Sequence, residues 1–475
     1  MPDEFSLLLE EAQRHLDKGF ATLPPYTAPL LDEAASRVLE QTATRLHDNF
    51  PYAHPLYAGQ MLKPPHPIAR AAYALAMSIN PNNHALDGGR ASSAMEIEAV
   101  AAIAAMFHWT PQNGGYLGHL TSGGTFANLE ALWAAGQVTR TPDGKLKTIA
   151  ASDQAHYTHS RISSVLGLPF QSVPSDEQGR MDLAALEDLL RTGQIGTVVV
   201  TLGTTAIGAV DPLDQILLLR EKYNIRIHVD AAYGGYFTLA SNLSSETRAA
   251  FNAISQADSI VIDPHKHGLQ PYGCGCILFR DPGVGRLYKH DSPYTYFSSQ
   301  DLHLGEISLE CSRAGASAVA LWSTQQLLPY VPGEVFARGL EAGHTAALEL
   351  QRRLSHSPHF LVPPFLPQLD ILFWAVRAPT PEASSALAQL IFDEAARHDL
   401  HIALAKLPIR FFSQGAWPDS PHKASEPHVT CLRSVLMKPE HLLWLDQISD
   451  RLRAAAGHVL SVNHPIEPSR ITNVP

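Results

Sequence analysis

Residues 196–232 read GTVVVTLGTTAIGAVDPLDQILLLREKYNIRIHVDAA, and this stretch decides the fold class. An unbroken apolar run at Val198–Val200 leads into a helical stretch, PLDQILLLREKY, and then into a second short run, IRIHVD. Unbroken apolar runs suit strands covered on both faces, and a helix between two of them suits a right-handed parallel crossover. The alternation extends in both directions, with KTIAAS and the helical DLAALEDLLR before it and DSIVIDPH and CGCILFRD after it. The pattern predicts an α/β fold with a mostly parallel central sheet and helices on both faces.

The flanks read differently. Residues 1–85 are helical pieces broken by the proline clusters LPPYTAPL, FPYAHPLY and LKPPHPIA, and predict an N-terminal helical arm laid on another surface. From Ser93, SAMEIEAVAAIAAMF has helical periodicity, with Ser93 and Glu96 spaced as a capping box. The large domain is expected over 86–340. The long helical runs ASAVALWSTQQLLPY and PGEVFARGLEAGHTAALELQRRL and the strand-like QLDILFWAVRA then introduce a small C-terminal α/β domain over 341–475.

Composition excludes several classes. Of 475 residues, 45% are hydrophobic and 17% charged, which is too apolar for a disordered chain. Lys and Arg number 35 against 46 Asp and Glu, a net charge of −11 with no basic run, which argues against nucleic acid or anionic lipid as partner. No apolar run approaches the roughly 18 residues of a membrane span. The first twenty residues are acidic from the outset rather than basic and then apolar, so a cytoplasmic protein is expected. Four cysteines are too few for a disulfide framework. Cys274 and Cys276 lie in the strand-like YGCGCILF with no further ligand spaced for a metal, and read as structural thiols.

Three features fall at predicted strand ends, where open parallel sheets bind ligands. In Leu120–Thr125, LTSGGT, small residues precede the helical FANLEALWAAGQ, so backbone N–H groups and a positive dipole end would face an anion such as phosphate. Asp230 ends IRIHVD, where a buried carboxylate needs a cationic partner; a protonated heterocyclic nitrogen would serve. Lys266 follows a strand in DPHKHG, where partial burial would favour the free amine that a Schiff base requires. Taken singly, these are a Gly-rich turn, a helix cap and a surface lysine. Jointly they fit one cofactor, pyridoxal 5′-phosphate (PLP), which has a phosphate, a ring nitrogen and an aldehyde.

The chain also resembles the group II PLP-dependent amino-acid decarboxylases. The likeness runs through HPLYAGQM, TSGGTFANLEAL, SDQAHYTHSR, TLGTTAIGAVDP, HVDAAYGGY, DPHKHG and LECSRAGASAVALW, and more weakly CLRSVLMKP. It is nearest to bacterial and archaeal tyrosine or aspartate decarboxylases. The resemblance implies a fold-type I homodimer with its site near the subunit interface. It implies that Lys266 bonds the cofactor, Asp230 pairs with the ring nitrogen and His156 stacks on the ring. It places Gly124 and Thr125 at the phosphate with His265 and Asp263, and Thr204 and Ala232 about the ring. Phe126 departs from the polar residue that many relatives carry. A tyrosine from a loop after the lysine would protonate the substrate carbon, and SPYTYFSS offers Tyr294 and Tyr296.

The expected reaction is α-decarboxylation of an L-amino acid to the amine and CO2. The alternatives are an oxidative variant that makes an aldehyde, a carbon–carbon lyase of the same fold, and a silent cofactor-binding protein. An acidic substrate would recruit Arg90, Arg313 or Arg433. An aromatic one, which we favour, would use Tyr57, Phe107 or Trp109.

Overall fold

The computed structural model describes residues 4–24, 32–84, 86–289, 308–419 and 428–463. Seven strands form the main sheet: β1 (Leu117–Thr121), β2 (Thr148–Ser152), β3 (Phe170–Val173), β4 (Ile195–Thr201), β5 (Arg226–Asp230), β6 (Ser259–Ile262) and β7 (Gly275–Phe279). Their spatial order is β1-β7-β6-β5-β4-β2-β3. β2 pairs in parallel with β3 and β4, as do β4 with β5 and β5 with β6. β4 is buried at every position, as its unbroken run of β-branched residues requires.

β7 is the exception. It runs antiparallel to both β6 and β1, with Thr121 opposite Gly275. A parallel return needs a crossover, usually helical, and the segment from Asp263 to Cys274 contains no helix. The consequence is functional. β1 ends at the same sheet edge as β5 and β6, and the turn after β1 meets the loop that carries Lys266. A Cβ on Gly275 would lie 2.7 Å from the Gly123 Cα, so these two turns touch through bare backbone.

A second sheet, ordered β10-β11-β9-β8, comprises β8 (Phe360–Leu361), β9 (Ile371–Val376), β10 (Ala403–Pro408) and β11 (His428–Val435), all antiparallel. The helix Val335–Ser355 spans the expected boundary at 340. Its Phe336, Ala337 and Leu340 join the core of the first sheet, and Ala346, Ala347, Leu350 and Leu354 join that of the second.

The N-terminal region also divides. The helices Glu4–Lys18 and Glu33–Leu46 bury no residue. By contrast, Leu56 and Ala58 are core residues of the second sheet, and the Ala58 carbonyl accepts the Val435 N–H at 2.8 Å. The helix at Ser93 begins earlier than expected, at Arg90, because Gly89 is its N-cap. Glu96 caps nothing; its carboxylate accepts from Asn83, from Arg313 and from the Leu120 N–H, and so anchors β1. Among the described residues, no helix is long and apolar enough to cross a membrane.

Candidate active site

A cavity of about 390 Å3 opens at the edge where β1, β4, β5 and β6 end. Ser122–Phe126, His156, Asp230, Ala232, Asp263, His265 and Lys266 line it. Tyr294 and Tyr296 lie outside the described residues.

The turn after β1 is built as its glycines suggest. Gly123 has φ +151°, which side chains other than glycine rarely adopt. The helix Gly124–Val138 starts at the cavity, and the first amides of a helix have no acceptor within it. A Cβ on Gly124 would stand 2.6 Å from Asp263 Oδ2, so this position has room only for glycine while Asp263 keeps its place. Phe126 lines the same wall, and the Ser122 N–H donates to Glu310 at 2.9 Å.

Asp230 sits at the floor, 5% exposed. Its Oδ2 accepts from His159 Nε2 at 2.8 Å, and its Oδ1 accepts the Ala232 N–H at 3.1 Å. Burial alone would raise its pKa. The hydrogen bond from His159, the nearby Lys266 amine and the Ala232 N–H outweigh burial and hold the carboxyl well below the usual range. Asp230 is therefore ionised before any ligand arrives.

Lys266 is only partly buried, with its side chain 22% exposed, and Nζ lies 3.1 Å from Asp263 Oδ2. Asp263, expected beside the phosphate, thus reaches both the lysine and the glycine turn through the same oxygen. Its Oδ1 is buried and has no partner among the described residues. His265 Nδ1 donates to the Cys274 carbonyl at 2.8 Å, and its ring stacks on Tyr272. His156 Nδ1 accepts the Thr158 N–H at 3.3 Å, so in the neutral ring the proton lies on Nε2. Burial lowers the His156 pKa, with Asp230 opposing, which favours that neutral form.

Several expected residues are elsewhere. Thr204 is fully buried, and its Oγ1 accepts the Ala209 N–H at 3.0 Å within its own turn; Gly203 and Thr205 line the cavity instead. Arg313 is spent on Glu96 and the Leu120 carbonyl. Arg433 is spent on the carbonyls of Gly59, Thr205 and Ala206. Arg90 is exposed in the first turn of its helix. Phe107 and Trp109 fill the main core, with Trp109 Nε1 donating to the Ser255 carbonyl, and Tyr57 packs under Lys438. Cys274 and Cys276 are buried, as structural thiols should be.

His159 was missed by the sequence reading, although it stands three residues after His156 in SDQAHYTHSR, in the first turn of the helix Thr158–Val165. Tyr233 was missed too: it lines the cavity and donates its hydroxyl to Asp370 Oδ1 at 2.5 Å.

The residues present fit PLP. The bare helix start offers donors to a phosphate, the ionised Asp230 offers an acceptor to a ring N–H, and Lys266 offers an amine. Comparison with known proteins agrees. Residues 22–362 match the model of the pyridoxal-dependent decarboxylase conserved domain. The L-tyrosine decarboxylase of Enterococcus faecium is 27% identical, covering 81% of this chain and 81% of that protein. A probable L-tyrosine/L-aspartate decarboxylase of Methanothermobacter thermautotrophicus is 30% identical over 56% of this chain and 69% of its own length. Mouse CSAD in its apo form superposes with a TM-score of 0.75 at 20% identity, covering 93% of this chain and 92% of the other.

Proposed function

This chain belongs to the pyridoxal-dependent decarboxylase family, and we propose that it removes the α-carboxylate of an aromatic, tyrosine-like L-amino acid to give the amine and CO2. PLP-dependent decarboxylation of an amino acid follows from the family. The substrate and the residue roles are inferred here. The observation that carries them is the convergence of Lys266, Asp230, His156 and the turn Ser122–Thr125 on one cavity.

When bound, PLP supplies an aldehyde that takes an amine and a ring that accepts the electron pair left by departing CO2. The protein supplies the rest. Lys266 provides the anchoring amine, and Asp263 positions it. The N–H groups of Gly124 and Thr125 hold the phosphate, with His265 alongside. Asp230 keeps a proton on the ring nitrogen. His156, which lines the cavity, would cover the ring, and its Nε2–H is one proton source for the substrate carbon. Tyr296, or Tyr294, is the other, and our preferred, source.

Two features support an aromatic substrate. Among the described lining residues there is no arginine to meet a second carboxylate, and Phe126 and Tyr233 give the cavity aromatic walls. The E. faecium relative is named for tyrosine. The test is a panel of L-amino acids with saturating PLP, scored for CO2, amine, aldehyde and peroxide. Tyrosine-like substrates should give amine. Aspartate as best substrate would overturn the aromatic reading, and aldehyde with peroxide would favour the oxidative variant. A Tyr296→Phe variant should shift product from amine towards aldehyde, and unchanged amine output in both tyrosine variants would move the donor to His156.

We further read the protein as a cytoplasmic homodimer. No residue of the helices Glu4–Lys18 and Glu33–Leu46 is fully buried, and Leu7, Leu8, Val38, Leu39 and Leu46 are each at least 51% exposed. Such a surface suits a second copy. All four cysteines are unpaired, which suits a reducing compartment. Light scattering that gives a monomer mass would overturn the dimer.

A further inference from the structure

Beneath the cavity, His159 is bonded to the carboxylate that the site depends on. We propose that His159 is a positioning residue for Asp230: it locks the carboxylate in its ionised form and in one orientation, so that the ring nitrogen of PLP stays protonated. This rests on reading Asp230 as the ring-nitrogen partner.

The geometry has three parts. First, His159 Nε2 and Asp230 Oδ2 are 2.8 Å apart, with side chains 0% and 6% exposed, so water does not compete for the bond. Second, Asp230 must choose between two states. As a neutral acid it would offer its own proton to the ring nitrogen and leave the ring a poor electron acceptor. A donor already seated on Oδ2, with the Ala232 N–H on Oδ1, fills the carboxylate from the protein side with protons and favours the anion.

Third, the histidine has one polarity. His159 Nδ1 is buried with no partner among the described residues, so the neutral ring carries its proton on Nε2, toward Asp230. His228 stands behind, with ring centroids 6.4 Å apart. It is bonded at Nδ1 to Ser259 Oγ at 2.9 Å and at Nε2 to Asn128 Oδ1 at 2.8 Å. Burial pushes the His228 pKa down to about 3, so this backing is uncharged and does not compete for Asp230. His156 lies just before the helix Thr158–Val165 that carries His159, and its carbonyl accepts the His159 N–H at 3.1 Å, which lets a single segment cover the ring with one histidine and brace its acid with the other.

The test compares His159→Leu, His159→Gln and His159→Asn with the parent as holoenzymes carrying 15N-labelled PLP. Three readouts are taken: the pyridine 15N resonance, the PLP dissociation constant, and kcat with KM. Loss of the donor should move the resonance toward neutral pyridine, weaken PLP about tenfold and lower kcat about tenfold or more, with KM changed far less. Glutamine reaches as far as Nε2 and should restore most of each property; asparagine is too short and should behave like leucine. If the leucine variant does not fold, the glutamine–asparagine contrast carries the test. A leucine or asparagine variant with parental resonance and kcat within about twofold overturns the proposal. Asp230→Asn separates it from the reading beneath: a resonance unmoved there too overturns Asp230 as ring partner, whereas one moved by Asp230→Asn alone overturns only His159.

Discussion

β5 and β6 end side by side, each delivering a carboxylate to the same cavity, and the two are held in opposite ways. Asp230 after β5 has a protein donor on each oxygen, from His159 and from the Ala232 N–H. Asp263 after β6 shares one oxygen with Lys266 and leaves the other buried and unpartnered among the described residues. The β5 carboxylate is held on both oxygens before any ligand arrives. The β6 end carries the amine proposed to react, and an acid with spare capacity suits a group that would exchange partners. A site that binds a cofactor and reacts at it needs both kinds of support.

The largest effect expected from breaking this contrast is at the β6 end. Lys266→Ala should abolish turnover, a fall of at least about a thousandfold, together with the visible absorbance of lysine-bound cofactor. Borohydride reduction and peptide mapping on the parent check the assignment, and a pyridoxyl group on another lysine would make the β6 end a bystander. Next, Asp230→Ala should lower kcat by about a hundredfold or more with PLP saturating, while urea unfolding shows a folded protein. A near-parental rate would remove the β5 acid from the chemistry.

A smaller effect sharpens the link between the ends. Gly124→Ala places a methyl group 2.6 Å from Asp263 Oδ2, so the acid must shift, and its contact with Lys266 should weaken. PLP affinity measured by titration should fall about tenfold, with the Asp230 side untouched. An unchanged affinity would show that the Asp263 position is not set by the glycine turn.

The smallest effect is on acid stability behind the β5 end. His228 titrates near 3 when folded and near 6.5 when unfolded, so its neutral form favours folding above pH 6.5, and that contribution is lost progressively as pH falls toward 3. His228→Gln cannot take up the proton. Between pH 6.5 and 5 the parent should lose about 2 kcal/mol more stability than the variant, read from urea unfolding at each pH. Equal losses would mean that His228 is protonated in the fold.

The sequence by itself determined the class of fold and pointed to groups that the fold gathers around one cavity, because both are written locally. Apolar runs of strand length, most with a helix after them, need no partner to be recognised, and the runs ending at Asp230 and before Lys266 became β5 and β6. Gly123 and Gly124 announced a turn that side chains cannot make. Tertiary structure alone decided who pairs with whom. His159 and Asp230 are 71 positions apart, and Arg313 and Glu96 are 217 apart; no periodicity links either pair. Thr204, Arg313 and Arg433 have the chemistry of site residues, but buried backbone carbonyls and amides took them, since an unpaired buried polar group costs more than a plausible ligand contact returns. The antiparallel β7 was likewise unreadable from its composition, because strand direction depends on where the chain can return, and here that return sets the lysine loop against the glycine turn.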